Sequence, residues 1–110
     1  MKKVVWIGSS QDDIRAFPTE VKQDFGRELL RVQQGGHPHD ATPIKTVGKG
    51  VYEIRVRQSN NIYRVFYVAS FGDYVYVLHS FVKKTQTTSP KDIAKGQARY
   101  TTAQHHAAGT

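Results

Sequence analysis

The chain has 110 residues, 38% of them hydrophobic and 11% aromatic, which suits one folded domain with a modest core. It has no cysteine, which excludes disulfides, thiolate nucleophiles and cysteine-based zinc sites. The opening run Met1–Gly8 offers too few apolar residues before Ser9 for a secretory signal (about 7–15) or a membrane span (about 20), so a soluble cytoplasmic protein is expected.

The net charge of +7 is unevenly placed. Residues 1–44 carry as many acids as Lys/Arg and sum to zero. Residues 45–110 carry all the excess, opposed only by Glu53, Asp73 and Asp92. Cations concentrated on a segment that alternates like a sheet suit a polyanion, and phosphate backbone is the commonest one.

Val4-Val5-Trp6-Ile7 reads as a first strand ended by Gly8. Ser10, with Asp13 three residues on, predicts a capped short helix over Gln11–Phe17 that stops before Pro18. Thr19 is placed to cap a second helix running to about Gln34. Its Val21, Phe25, Leu29 and Val32 form one apolar stripe, and Gly35-Gly36 forms a stop. From Val51 the period changes to two: Tyr52, Ile54 and Val56 face one way and Glu53, Arg55 and Arg57 the other. Ser59-Asn60-Asn61 turns the chain into a strand over Ile62–Ala69, which Arg64 interrupts, and Phe71-Gly72-Asp73 turns it again into Tyr74–Val82. After Lys83-Lys84 and the polar stretch Thr85–Ser89, a last helix is expected over Lys91–Arg99. Residues 1–100 make one domain in this reading, and 101–110, without periodicity, a flexible tail.

The expected class is α+β: a small antiparallel sheet, two N-terminal helices on one face and a C-terminal helix, in the order β-α-α-β-β-β-α. The other face is expected to be wet and to display Arg55, Arg57 and Arg64, with Lys83-Lys84 near the sheet end. Taken alone, alternating Arg55 and Arg57 suit a solvated face, and Arg64 suits an ion pair with Glu53 across the hairpin. His79 lies among apolar neighbours and suits a half-buried histidine as well as a catalyst. His37, His39, His105 and His106 have no metal-ligand spacing and read as loop and tail residues. Gly48-Lys49-Gly50 lacks the phosphate-loop pattern and reads as a turn. The tyrosines 52, 63, 67, 74 and 76 are strand packing, unless one on the wet face stacks a base.

The segments Val51–Arg55, Ile62–Tyr67 and Val77–Lys84, with Trp6–Ser10, Phe17-Pro18, Leu29–Gly36 and Pro43-Ile44-Lys45, resemble the RelE/ParE toxin superfamily. Within it they are most similar to the HigB-like, phage-derived host-inhibition toxins, over roughly residues 4–100. The resemblance implies the toxin of a type II toxin–antitoxin system, a messenger-RNA endonuclease (mRNA interferase) that often works only on the ribosome. It also implies a cognate antitoxin, often a helix-turn-helix, HigA-like protein. It implies no cofactor. Carried onto this chain, the basic second-strand position falls on Arg55, the central third-strand arginine on Arg64, and the basic residue after the last strand on Lys83 or Lys84. A tyrosine that some RelE members carry in the final helix has no counterpart, because Tyr100 lies too late.

Metal-free RNA cleavage needs a base for the ribose 2′-OH, stabilisation of the phosphorane and a proton for the departing 5′ oxygen. Arg55 and Arg64 suit the phosphorane, and Lys83, Lys84 and His79 the proton transfers. Lys45, Lys49 and Arg57 are candidate RNA contacts. Two alternatives remain open: a non-nucleolytic growth inhibitor of the ParE type acting on DNA gyrase, and a basic RNA-binding module.

Overall fold

A computed structural model describes residues 1–85 and 87–109. Gln86, inside the expected polar stretch, and Thr110, the end of the expected tail, lie outside them. The elements are β1 (Lys3–Trp6), α1 (Ser10–Arg15), α2 (Thr19–Gln33), β2 (Ala41–Pro43), β3 (Val51–Gln58), β4 (Asn61–Val68), β5 (Tyr74–Lys83) and α3 (Pro90–Ala108). They form one five-stranded sheet in the order β1-β5-β4-β3-β2, an α+β architecture consistent with a RelE-like fold.

Strands β3, β4 and β5 are the expected meander. Two features differ from the sequence reading. β1 joins the sheet parallel to β5, with Val4 opposite Val75, so the sheet is mixed rather than antiparallel. The three-residue β2 adds an outer strand against β3, with Thr42 opposite Glu53. Helix starts also move by one residue. Ser9 and Pro18, rather than Ser10 and Thr19, occupy the cap positions of α1 and α2. α3 starts at Pro90 and Ser89 caps it, its hydroxyl accepting from the Asp92 backbone N–H at 3.2 Å.

The sheet is covered on both faces, which corrects the expected wet face. On one face the α2 stripe Val21, Phe25, Leu29 and Val32 packs with Ile14 of α1 onto Ile54, Tyr63, Val65, Tyr67, Val75 and Val77. On the other, α3 lies over Val51, Phe66, Val68, Tyr76 and Leu78. The contact is close because residue 96 is glycine: a Cβ there would meet Phe66 Cδ2 at 2.9 Å and Val47 Cγ1 at 3.0 Å. Nor does the chain fray from Thr101. α3 continues to Ala108, Ala103 is fully buried, and Tyr76 and His106 Nδ1 share a hydrogen bond of 2.8 Å. His105 and His106 are therefore helical.

Candidate functional site

Strand register decides which candidate side chains meet. On the α3 face, three rows cross the sheet from β3 through β4 to β5. They are Glu53–Phe66–His79, Arg55–Arg64–Phe81 and Arg57–Ile62–Lys83. A bulge between Phe66 and Tyr67 pairs Phe66 with His79 but Tyr67 with Val77; by skipping Leu78 it lets His79 and Phe81 share the α3 face with Tyr76 and Leu78. Four of the residues singled out from the sequence (Arg55, Arg64, His79 and Lys83) thus share one face, just beyond the N-terminal end of α3.

Arg64 is fully buried (0% exposed) and Glu53 nearly so (1%). The Glu53 carboxylate takes Arg55 Nη2 at 2.9 Å and lies 3.5 Å from Arg64 Nη1. The connector between β5 and α3 completes the cage. Arg64 Nη1 donates to Thr88 Oγ1 at 2.8 Å and Nη2 to the Thr85 carbonyl at 2.6 Å. The Thr88 hydroxyl in turn donates to Glu53 at 2.9 Å. The ion pair between Arg64 and Glu53, one of the two readings of that arginine, is therefore present, and the Arg64 fork is occupied by two neutral oxygens. The Nε atoms of Arg55 and Arg64 are buried and find no partner among the described residues. Arg57 lies further out and pairs with Asp40 at 2.6 Å.

Beside this pair stands a second cluster that the sequence reading saw only in part. His79 Nε2 lies 2.8 Å from Asp92 Oδ1, and Lys83 Nζ 3.0 Å from Asp92 Oδ2. The Ser89 hydroxyl donates to the same Oδ2 at 2.7 Å. Burial opposes ionisation of Asp92, but hydrogen bonds from His79, Ser89 and Lys83 outweigh it and hold the carboxyl at about 2. Burial also disfavours imidazolium and puts the His79 pKa below its ordinary value, with the Asp92 hydrogen bond pulling the other way. A carboxylate only accepts, so in the neutral ring Nε2 carries the proton and Nδ1 keeps its lone pair. That Nδ1 is buried and has no partner among the described residues. The ring stacks on Phe81 at 4.5 Å. Asp92 orients one imidazole and one ammonium together. Its only advance signal was its place three residues after the cap Ser89.

The other candidates do not join this face. Lys45 and Lys49 are exposed on the loop between β2 and β3, against the middle of α3, where Tyr100 Oη donates to the Lys49 carbonyl at 2.9 Å. This contact gives Tyr100 a structural task away from the arginines. Lys84 is exposed on the connector. Lys91 and Lys95, one turn apart on α3, were not singled out. They line a cleft with His79 and Lys83.

A family model described as phage derived protein Gp49-like (DUF891) matches residues 12–101, most of the chain. The chain belongs to the Gp49-like family. This family is one of the RelE/HigB-type toxin group. The match spans α1 to the first half of α3, so every residue of the two clusters lies within the Gp49-like region. No curated protein matches the chain. Among the described residues no helix is long and apolar enough to cross a membrane.

Proposed function

We propose that this Gp49-like protein is a HigB-like toxin and a metal-independent endoribonuclease that cuts messenger RNA, on the ribosome, in the cytoplasm. The observation that carries the reading is the register. It sets two guanidinium groups, an imidazole and an ammonium within three adjacent rows of one sheet face.

In this reading Arg55 and Arg64 hold the non-bridging oxygens of the scissile phosphate, and the RNA takes the place of Thr85 and Thr88 on the Arg64 fork. His79 removes the 2′ proton at Nδ1, its tautomer fixed by Asp92. The 2′ oxygen bonds to phosphorus and the bond to the 5′ oxygen breaks, with Lys83 supplying the proton to the departing oxygen. The products are a 2′,3′-cyclic phosphate and a 5′-hydroxyl. Lys84, Lys45, Lys49 and Arg57 contact flanking phosphates. A cognate antitoxin of the helix-turn-helix, HigA-like kind keeps the toxin silent.

The test is induction in a growing culture followed by mapping of RNA 5′ ends. New 5′-hydroxyl ends inside reading frames are expected. Arg55→Lys keeps the charge but loses the planar fork, and should lower cleavage by about 10²–10³ with the melting temperature retained. Intact transcripts with gyrase-linked DNA breaks would replace this reading with the ParE type. Harmless expression without an antitoxin would leave only an RNA-binding module.

A further inference from the structure

Among the described residues, β1 pairs only with Tyr74–Val77, which leaves the rest of that β5 edge without a strand partner. Over the remainder lies an open cleft of about 590 Å3 between α1 and the first turns of α3. Its two sides differ in chemistry. On the α2 face it is lined by Phe17, Tyr63, Ser80 and Val82, and on the α3 face by His79, Lys83, Lys91 and Lys95. Phe17 is half-buried and packs edge-on against Tyr63 at 4.9 Å. Val82 is 45% exposed, which is high for a valine within a strand. Ser80 is only 2% exposed, yet its hydroxyl has no hydrogen-bond partner among the described residues. A buried hydroxyl left unpaired is costly, so a group that fills the cleft and bonds to it recovers that loss.

We propose that this cleft is a nucleotide subsite. The base of one single-stranded RNA residue lies on Phe17 and Val82 and bonds to the Ser80 hydroxyl. Its phosphate meets Lys83, Lys91 and Lys95. The proposal rests on the endonuclease reading for its ligand, and it adds a position where a base, rather than the backbone, is held. An apolar floor with a single polar group beside a triad of ammonium groups matches a base joined to a phosphate. A pairing peptide strand fits less well. The carbonyl of Val77 already accepts from Ile7 N at 2.9 Å and Ser10 Oγ at 3.1 Å, and that of Leu78 from Arg99 at 3.0 Å.

The experiment measures binding of the full chain to a short 2′-O-methyl oligoribonucleotide, which cannot be cut, and to an abasic oligomer of equal length. The base-bearing oligomer should bind about tenfold or more tightly. Phe17→Leu should erase most of that difference and leave abasic binding unchanged, with thermal melting confirming the fold. Ser80→Ala should alter the preference among homopolymers without lowering stability, since it removes an unpaired group. Lys91→Gln with Lys95→Gln should weaken both oligomers alike and reduce the salt slope by about 1.4. Equal affinity for the two oligomers, a difference that survives Phe17→Leu in a folded chain, or occupancy by an acidic peptide in place of RNA would each overturn the subsite. If base-dependent binding persists while induced cells keep intact transcripts, the endonuclease reading fails and the subsite stands. Cleavage with base-independent binding rejects the subsite alone.

Discussion

Arg55 and Arg64 stand directly opposite each other on β3 and β4, and one buried carboxylate, Glu53, holds both. Like charges facing across a ladder repel, so Glu53 is what makes the pairing tolerable. Glu53→Gln preserves shape but leaves buried Arg64 without a counter-charge and Arg55 with only Asp40, 3.8 Å away. Loss of about 3–5 kcal/mol is expected, read as a lower urea midpoint at unchanged slope. A midpoint equal to the parent's would show that the pair does not need the carboxylate.

Thr88 joins the connector to the arginine cage by two hydrogen bonds, one accepted from Arg64 and one donated to Glu53. Thr88→Val removes both and should cost about 1–2 kcal/mol of stability. Because the hydroxyl stands where the proposed phosphate oxygen binds, the same variant should bind uncleavable RNA more tightly than the parent. Weaker binding in titration would mean that Thr88 itself contacts the ligand.

The paired shifts at His79 and Asp92 fix how stability responds to acid. Both groups have a folded-state pKa below the unfolded one, so each stabilises the fold above its unfolded value and loses that contribution on acidification. The His79 contribution fades as pH drops below 6.5, and the Asp92 contribution from 3.8 down to about 2. The melting temperature should therefore decline from just below neutrality, with a second loss in strong acid. Asp92→Asn should remove the second loss, and it should lower the His79 pKa further in an imidazole NMR titration. A rise in that pKa would contradict the assigned hydrogen bond.

Two glycines in helices should respond to alanine with opposite signs. Gly26 in α2 has open space around a Cβ, so Gly26→Ala should stabilise by about 0.5–1 kcal/mol. At Gly96 in α3 a Cβ would clash with buried Phe66 at 2.9 Å and crowd buried Val47 at 3.0 Å, so Gly96→Ala should destabilise by about 1–3 kcal/mol. Calorimetry of the two variants checks the pair.

The period-two pattern of Val51–Arg57 was enough to place Glu53, Arg55 and Arg57 on one face, and the α2 stripe was enough to name four core residues. β2 was not legible because Ala41-Thr42-Pro43 is three residues long, without alternation and with a proline. The second half of α3 was hidden because Thr101, Thr102, Gln104 and His105 face outward and only small Ala103 is fully buried. What covers the arginines depends on where a helix folds back, a long-range choice that local pattern does not encode. For the same reason Asp92 looked like an ordinary helix acid until the fold set it between His79 and Lys83.

The parallel pairing of β1 with β5 carries a consequence for how the molecule comes into being. Val4 cannot find Val75 until most of the chain has been synthesised, and closing so long a loop makes sheet completion a late event. His79, Lys83 and Asp92 emerge later still. A chain interrupted before His79 is thus an incomplete sheet that carries Arg55 and Arg64 but lacks His79, Lys83 and Asp92, so under the proposed mechanism such a fragment is inert rather than partly armed.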